Sequence, residues 1–521
     1  MSKLILPDLD RRRLLLGAAA LGGISALPAA GLAQAVSGDT PFTLGIASGD
    51  PWPDGFVIWT RLAPKPLDWH SGMSFAPKGV PVTWEVASDD AFKTVVQKGE
   101  TVAYAELGHS IHVEVAGLQP LRPYWYRFTY NGIQSPIGRA KTAPVPGAKL
   151  DRIRFAAVGC QQYDAGFYTA YRHVSEEQDL DFVFHYGDYI YEAVYGDESK
   201  KPRHVGSDEP FSLDDYRRRY ALYKLDPDLQ AAHANFSWWV TLDDHEIQDN
   251  WAGVWDKYLT PPDIFLLRRQ AAFQAYYENM PLRKSSMPRG PDIQLYRKAV
   301  YGDLLNANFM DTRQFRTDQP CNDGFKVYCQ GAFDPKQQMI NGAEDAWLAD
   351  SLRNTDTRWN LIAQQVMMMD LDRRNRPDAG SEPIYNMDSW TGYPLAQQKM
   401  VDHFKGLGNV VVVTGDEHQN FAGELRERGR EGQALAIEFV ATSISAGGNG
   451  SDSRKGTDIL KSYNPELVFE NDNRGYVVCD VTRNEWRTDY RVLDYVHEQG
   501  APVKTRASFV VERGDPKINN A

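Results

Sequence analysis

From residue 150 onward the chain alternates unbroken apolar runs with segments whose apolar positions recur every three or four residues. The runs "IRFAAVG", "LDFVFHYG", "FSWWVTL", "WNLIAQQ" and "NVVVVTG" have the length and continuity of strands buried on both faces. Between them, "FYTAYRHVSEEQ" and "LLRRQAAFQAYYENM" keep apolar residues at helical spacing. The pattern predicts α/β architecture, a sheet carrying helices. Upstream the pattern changes: "FVIWTRL", "VPVTWEVA", "HSIHVEVAGL" and "YWYRFTY" are short β-branched and aromatic runs set apart by Gly, Pro and Asp, the spacing of a sandwich. "TAPVPGAK" at 142–149, rich in Pro and small residues, reads as a linker. The expected organisation is an N-terminal β-sandwich over 40–143 and an α/β domain over 150–510.

Within the first part, "VEVAGLQPLRPYWYRF" resembles the strand, turn and Tyr corner of fibronectin III or Ig-like domains, which implies that Tyr124 or Tyr126 bonds back to the turn. At the start, "DRRRLLLGAAALGGISALPAAGLAQA" at 10–35 combines adjacent arginines, a modest apolar stretch and small residues suited to cleavage. It has the layout of a twin-arginine (Tat) signal, so residues 1–35 are set aside from the fold and export to periplasm or medium is expected. A net charge of -12 argues against nucleic acid as a partner, since a phosphate backbone is bound through a Lys and Arg surplus. An oxidising compartment makes Cys321 and Cys329 a plausible local disulfide. Cys479 reads as a core residue, and Cys160 has no obvious thiol partner.

Cys160 matters because of where it falls. Cys160, Asp188 with Tyr191, Asp243 and Asp244 with His245 and Asn250, Gln364 and Gln365, and Asp416 with His418 all follow apolar runs, and α/β sheets bind ligands beyond the carboxyl ends of their strands. One Asp after one strand is turn chemistry. Five strands ending in metal-competent groups predict bound cations, because carboxylates converging on one edge repel unless neutralised. A thiol, a phenol and an imidazole suit a transition ion, and carboxylate and amide oxygens a hard one. Two ions sharing a carboxylate fit that inventory better than one.

In this order, "VGC", "GDYIY", "LDDHE" and "TGDEH", with "FTLGIASGDPWPDGFVIWTRL", "MDTRQFR" and "QQVMMMD", resemble the blocks of the PhoD-like alkaline phosphatases, within the calcineurin-like metallophosphoesterases. The resemblance implies a β-sandwich core flanked by helices and a Fe³⁺ site formed by Cys160, Asp188, Tyr191 and His418. Asp188 would bridge to one or two Ca²⁺ held by Asp244, Asn250 and Asp416, with Gln365 standing where relatives often place a His. His245 is the candidate to hydrogen-bond a phosphoryl oxygen or protonate the leaving group, and Asp243 to orient its neighbours. Arg313 either clamps phosphate or pairs with Asp311. The implied activity is hydrolysis of phosphate monoesters, and of diesters as well, by a monomeric exported enzyme.

Three alternatives stay open on the residues, one of them a non-catalytic phosphate- or carbohydrate-binding protein whose β domain is the reader. The same chemistry would serve a phosphodiesterase or phospholipase D-like enzyme acting on lipid or polymer phosphates. An exported non-haem iron redox protein would also need iron, although two His and one carboxylate would be its usual ligand set. The polar loops at 195–220 and 372–395 are candidate lids, and the tail "ASFVVERGDPKINNA" a candidate cover for the site mouth.

Overall fold

The computed structural model describes residues 40–73, 78–376, 380–428 and 430–521. The expected signal at 1–35 lies outside them. All five predicted site strands form: Arg152–Val158, Phe182–His185, Ser237–Val240, Trp359–Ala363 and Val410–Thr414. The first three are adjacent and parallel in a ten-stranded sheet, and the other two are parallel neighbours in a seven-stranded one.

The sheets face each other across an aromatic core. Phe309 of the second sheet stacks on Trp239 (4.6 Å between centroids) and meets Phe184 (5.6 Å) of the first. Alternation along each strand settles which face does what. Leu361, Val411 and Val413 point into this shared core, while Ile362, Val410 and Val412 point outward to Leu348, Leu352 and Met400 of the helices Gly342–Arg353 and Pro394–Asp402. On the outer face of the first sheet, Trp238 packs against Tyr171 of Thr169–Glu176 and His233 of Pro227–Asn235. Helices therefore flank a β-sandwich, and the parallel strands of both sheets carry the predicted ligand residues at their carboxyl ends.

The N-terminal strands are less separate than their composition predicts. Gly79–Ala87, Val95–Tyr104, Pro123–Tyr130 and Gly138–Lys141 form a sheet of their own. Ile46–Trp52, Gly55–Arg61 and Ser110–Val115 instead extend the ten-stranded sheet, Ile46–Trp52 pairing parallel to Ser237–Val240. The N-terminal core, with Phe56, Ile58, Val82 and Phe128, lies between the two. Tyr124, not Tyr126, closes the corner, its hydroxyl accepting from Gln119 N (3.0 Å). The 142–149 segment is tied down through Gly147 N to Gly302 O (3.0 Å) and Asp303 N to Ala148 O (2.9 Å).

Two expected coverings take other roles. The tail forms the strands Val503–Glu512 and Asp515–Asn520 at the edge of the ten-stranded sheet, which corrects its reading as a site cover: backbone pairing engages it there. The 195–220 segment runs into the helix Leu213–Lys224, whose Arg219 donates to Tyr191 O and Glu192 O, bracing the site turn from behind. Cys321 and Cys329 are disulfide-bonded, and Cys479 is buried in the core.

Candidate metal centre

The site turns follow the strand ends and stay tied to one another through the backbone, Cys160 N donating to Gly187 O and Gln161 N to Asp188 O (3.0 Å each). Cys160, Asp188, Asn250, Asp416 and His418 all adopt left-handed backbone conformations (φ 51°, 57°, 53°, 65° and 52°). Such conformations are costly for non-glycine residues and concentrate where function over-determines the backbone. The turns are fitted together around Tyr186. Its ring leaves no room for a Cβ at Gly159 (2.2 Å) or Gly415 (2.1 Å), and its hydroxyl donates to Thr442 O. One aromatic ring thus spaces the Cys160 turn of the first sheet from the Asp416 turn of the second.

The side chains converge in three overlapping groups, each with its ligand atoms within 4.8 Å of one another: Cys160, Asp188 and His418; Asp188, Asp244 and His245; Asp243, Asp244 and Asp416. Asp188 is common to the first two, as a bridging carboxylate requires. Tyr191 joins the first, its hydroxyl donating to Asp188 Oδ2 (2.8 Å) and lying 2.9 Å from His418 Nε2. Asn250 reaches the third through its backbone N–H, which donates to Asp244 Oδ2 (2.7 Å). Its side-chain nitrogen donates to Asp323 Oδ2 (2.8 Å), so only the amide oxygen remains to offer.

Electrostatics mark the cluster as short of positive charge. Burial, together with Asp244, Asp243 and Glu246, drives the Asp188 carboxyl well above its ordinary range although His245 opposes it. Burial and the neighbouring Asp243 and Glu417 do the same to Asp416, and burial with Asp188 and Asp416 raises the Cys160 thiol. Asp188 Oδ1 is buried with no hydrogen-bond or ion-pair partner among the described residues, whereas Asp244 Oδ1 has Arg313 at 3.5 Å, and His245 and Arg313 outweigh burial to hold the Asp244 carboxyl below its ordinary range. Unsatisfied carboxylate oxygens in a low-dielectric pocket are costly unless a cation faces them. The donor set fits that cation: thiol, phenol, imidazole and carboxylate for a transition ion, and clustered carboxylates for a hard one.

Two predicted site residues do something else. Arg313 is fully buried and forms a two-pronged pair with Asp388 (2.8 and 2.7 Å), donates to Asp243 Oδ1 (2.5 Å) and lies 3.5 Å from Asp244 Oδ1. Neither a phosphate clamp nor an Asp311 ion pair describes it, because its fork is committed to these carboxylates. Gln365 is similarly committed: its oxygen accepts from Thr312 N (3.0 Å) and Oγ1 (2.6 Å), and its nitrogen donates to Met310 O (2.9 Å). It fastens the turn before Arg313.

His245 stands beside the cluster. Its Nδ1 hydrogen-bonds Glu192 Oε2 (2.8 Å), its ring stacks on Tyr191 (4.0 Å), and its Nε2 is 3.9 Å from Asp244 Oδ2. Burial opposes its protonation, but Asp244, Glu192 and Asp188 outweigh burial and raise it well above an ordinary imidazole. Glu192 is held in turn by Asp249 N (2.8 Å) and Tyr195 Oη (2.7 Å). Glu246 accepts from Tyr189 N (2.7 Å) and Asp243 N (2.9 Å), tying two site turns together. Sequence reading missed Glu192, Glu246 and Asp388. The signal for the first was an acid closing the aromatic run "DYIYE".

Fold and cluster together define an α/β-sandwich protein with a candidate metal-binding centre at its strand ends. Comparison with known proteins places it further. Residues 155–490 match the model of the PhoD-like phosphatases, and residues 27–144 that of the PhoD-like phosphatase N-terminal domain. Alkaline phosphatase D of Bacillus subtilis is 44% identical over 97% of this chain and 88% of its own length. A solved structure of PhoD superposes with a TM-score of 0.89 at 45% identity, covering 93% of this chain and 92% of that one. The chain belongs to the PhoD-like phosphatase family and is a phosphatase by class.

Proposed function

We propose that this enzyme is a metal-dependent alkaline phosphatase that hydrolyses phosphate monoesters and releases inorganic phosphate. The observation that carries the reading is the buried Asp188 Oδ1, which has no hydrogen-bond or ion-pair partner among the described residues and belongs to a carboxylate shared by two overlapping ligand groups. Cys160, Asp188, Tyr191 and His418 would hold Fe³⁺, and Asp244, Asn250 and Asp416, with Asp243 beside them, Ca²⁺. Bound there, the ions would supply Lewis acidity, an acidified water and charge neutralisation for in-line displacement at phosphorus.

The protein's own groups do the rest. His245, oriented by Glu192 and Tyr191 and with its positive form favoured by the Glu192 carboxylate, donates its Nε2 proton to a phosphoryl oxygen or to the departing alkoxide. Arg313 keeps Asp243 and Asp244 from repelling one another. We extend the proposal to export: the arginines at 11–13 supply the signal, and the Cys321–Cys329 bond suits an oxidising destination.

The test is p-nitrophenyl phosphate hydrolysis before and after chelation, in the native chain and in Asp244→Ala. The account expects chelation to abolish turnover and the variant to lose at least about a hundredfold in kcat. Turnover that survives both would exclude the cluster as the catalytic centre. Bis-p-nitrophenyl phosphate in the same assay measures the diester share.

A further inference from the structure

Behind the site, a cavity of about 180 Å³ opens where the turn Trp69–Gly72 and the segment around Gly108 meet the helix Leu213–Lys224, lined by Arg61, His70, Lys78 and Arg217 among others. The helix separates this cavity from the metal centre. Arg219 reaches the Tyr191 and Glu192 carbonyls on the site side, and Arg217, two residues away and so on the other side of the helix, faces the cavity.

Arg61 is the unusual member. It is 1% exposed, yet among the described residues its hydrogen bonds go to neutral groups: Gly108 O (2.9 Å), Ser71 Oγ (2.9 Å), and Arg217 O and Asn279 Oδ1 (3.4 Å each). A buried cation with dipoles but no direct counter-charge is costly. The nearby carboxylates are already matched, Glu278 to Arg217 (2.5 and 2.6 Å) and Asp214 to Arg218 (2.6 Å). Lys78 stands exposed at the rim and forms no ion pair with any described residue. The opposite wall is strained. His70 and Ser71 adopt consecutive left-handed conformations (φ 50° and 53°), about 1–2 kcal/mol each for non-glycine residues, and Ser71 takes its hydrogen bond from Arg61 there. Strain retained at a cavity wall is a mark of a ligand site.

We propose that this cavity is a second anion site, separate from the metal centre, in which His70 and Lys78 contact a phosphate group and the buried charge of Arg61, its donors already engaged, attracts it from the wall. Charge and geometry argue for an anion independently of the enzyme's activity, and the choice of phosphate rests on the phosphatase reading. The phosphate is either free, as the reaction's product, or carried on a substrate with several phosphates.

The experiment compares equilibrium binding of radiolabelled inorganic phosphate to the full chain and to the double variant His70→Ala/Lys78→Glu, with p-nitrophenyl phosphate turnover measured on the same preparations. The expected result is loss of one phosphate equivalent per chain in the variant, or at least a tenfold weakening of one site, with kcat and KM within twofold. Equal stoichiometry and affinity in both proteins overturns the proposal. The readout is a difference, so it stands whether or not the chain turns over the ester, and absent turnover counts against the phosphatase reading alone. A threefold or greater rise in KM for a substrate with several phosphates, in the variant only, identifies the occupant as substrate-borne. An unchanged KM alongside the lost equivalent identifies free phosphate.

Discussion

At the scale of single residues, the account turns on side chains that hold other side chains. Glu192 favours the charge and fixes the direction of His245, so Glu192→Gln keeps the volume and removes the charge. We expect kcat for p-nitrophenyl phosphate to fall about ten- to a hundredfold with KM nearly unchanged, as for loss of an interaction made in the transition state. A fall in affinity with kcat preserved would instead make Glu192 a binding residue. Arg313→Met removes the counter-charge of Asp243 and Asp388, and breaking such a buried pair costs about 3–5 kcal/mol. Chemical denaturation of the variant measures it, and a change under about 1 kcal/mol would contradict the structural role assigned to this arginine. These supporting roles were hidden in the sequence for a common physical reason. Asp188, Asp244 and Asp416 each follow a strand, so their convergence was legible from the strand pattern. Arg313 meets Asp388, 75 positions further along the chain, through a loop whose path no local pattern dictates.

At the scale of elements, the turns that carry the ligands are fitted to each other with little slack. Gly415→Ala drives a methyl group into the Tyr186 ring, and Gly159→Ala does so from the other sheet. Each is expected to cost about 1–3 kcal/mol by overpacking, with part recovered in Gly415→Ala/Tyr186→Leu. Unfolding midpoints check this, and absence of rescue would mean that the ring is not the obstacle. A second tie between the sheets is Asp303 with Arg483 (2.9 Å), which holds the Asp303 carboxyl down to about 2. Because its folded value is depressed, its contribution is fully present above the ordinary carboxylate range near 4 and is lost as pH falls from there to about 2. The pair is partly exposed, so the contribution is at most about 1 kcal/mol. Asp303→Asn should lower stability at pH 7 and match the native chain below pH 2, and a difference that persists in acid would point to packing instead.

At the scale of the whole molecule, strand identity was legible and strand partnership was not. The runs "FVIWTRL" and "HSIHVEVAGL" announce strands, but nothing local says that Gly55–Arg61 and Ser110–Val115 continue the sheet whose strand ends carry the candidate ligands. Parallel pairing of Ile46–Trp52 with Ser237–Val240 joins residues almost two hundred positions apart. The tail departs from its expected role for a similar reason: its apolar alternation and the Arg513–Gly514 turn signal a hairpin, but not the sheet edge on which that hairpin pairs. Removing residues 500–521 should therefore expose the edge strand Glu485–Leu493 and promote aggregation, the fate of long unpaired edges. A soluble truncated chain with raised activity would restore the tail as a cover.

The most direct measurement is metal content by mass spectrometry with a visible spectrum, on the chain exported in its native host and on Asp188→Asn, alongside p-nitrophenyl phosphate turnover. Asp188 is shared between two ligand groups, so the account predicts iron and calcium in the native protein with a phenolate- or thiolate-to-iron absorption band, and loss of metal, colour and turnover together in the variant. Turnover by a metal-free native protein, or by a variant that has lost its metals, would contradict it.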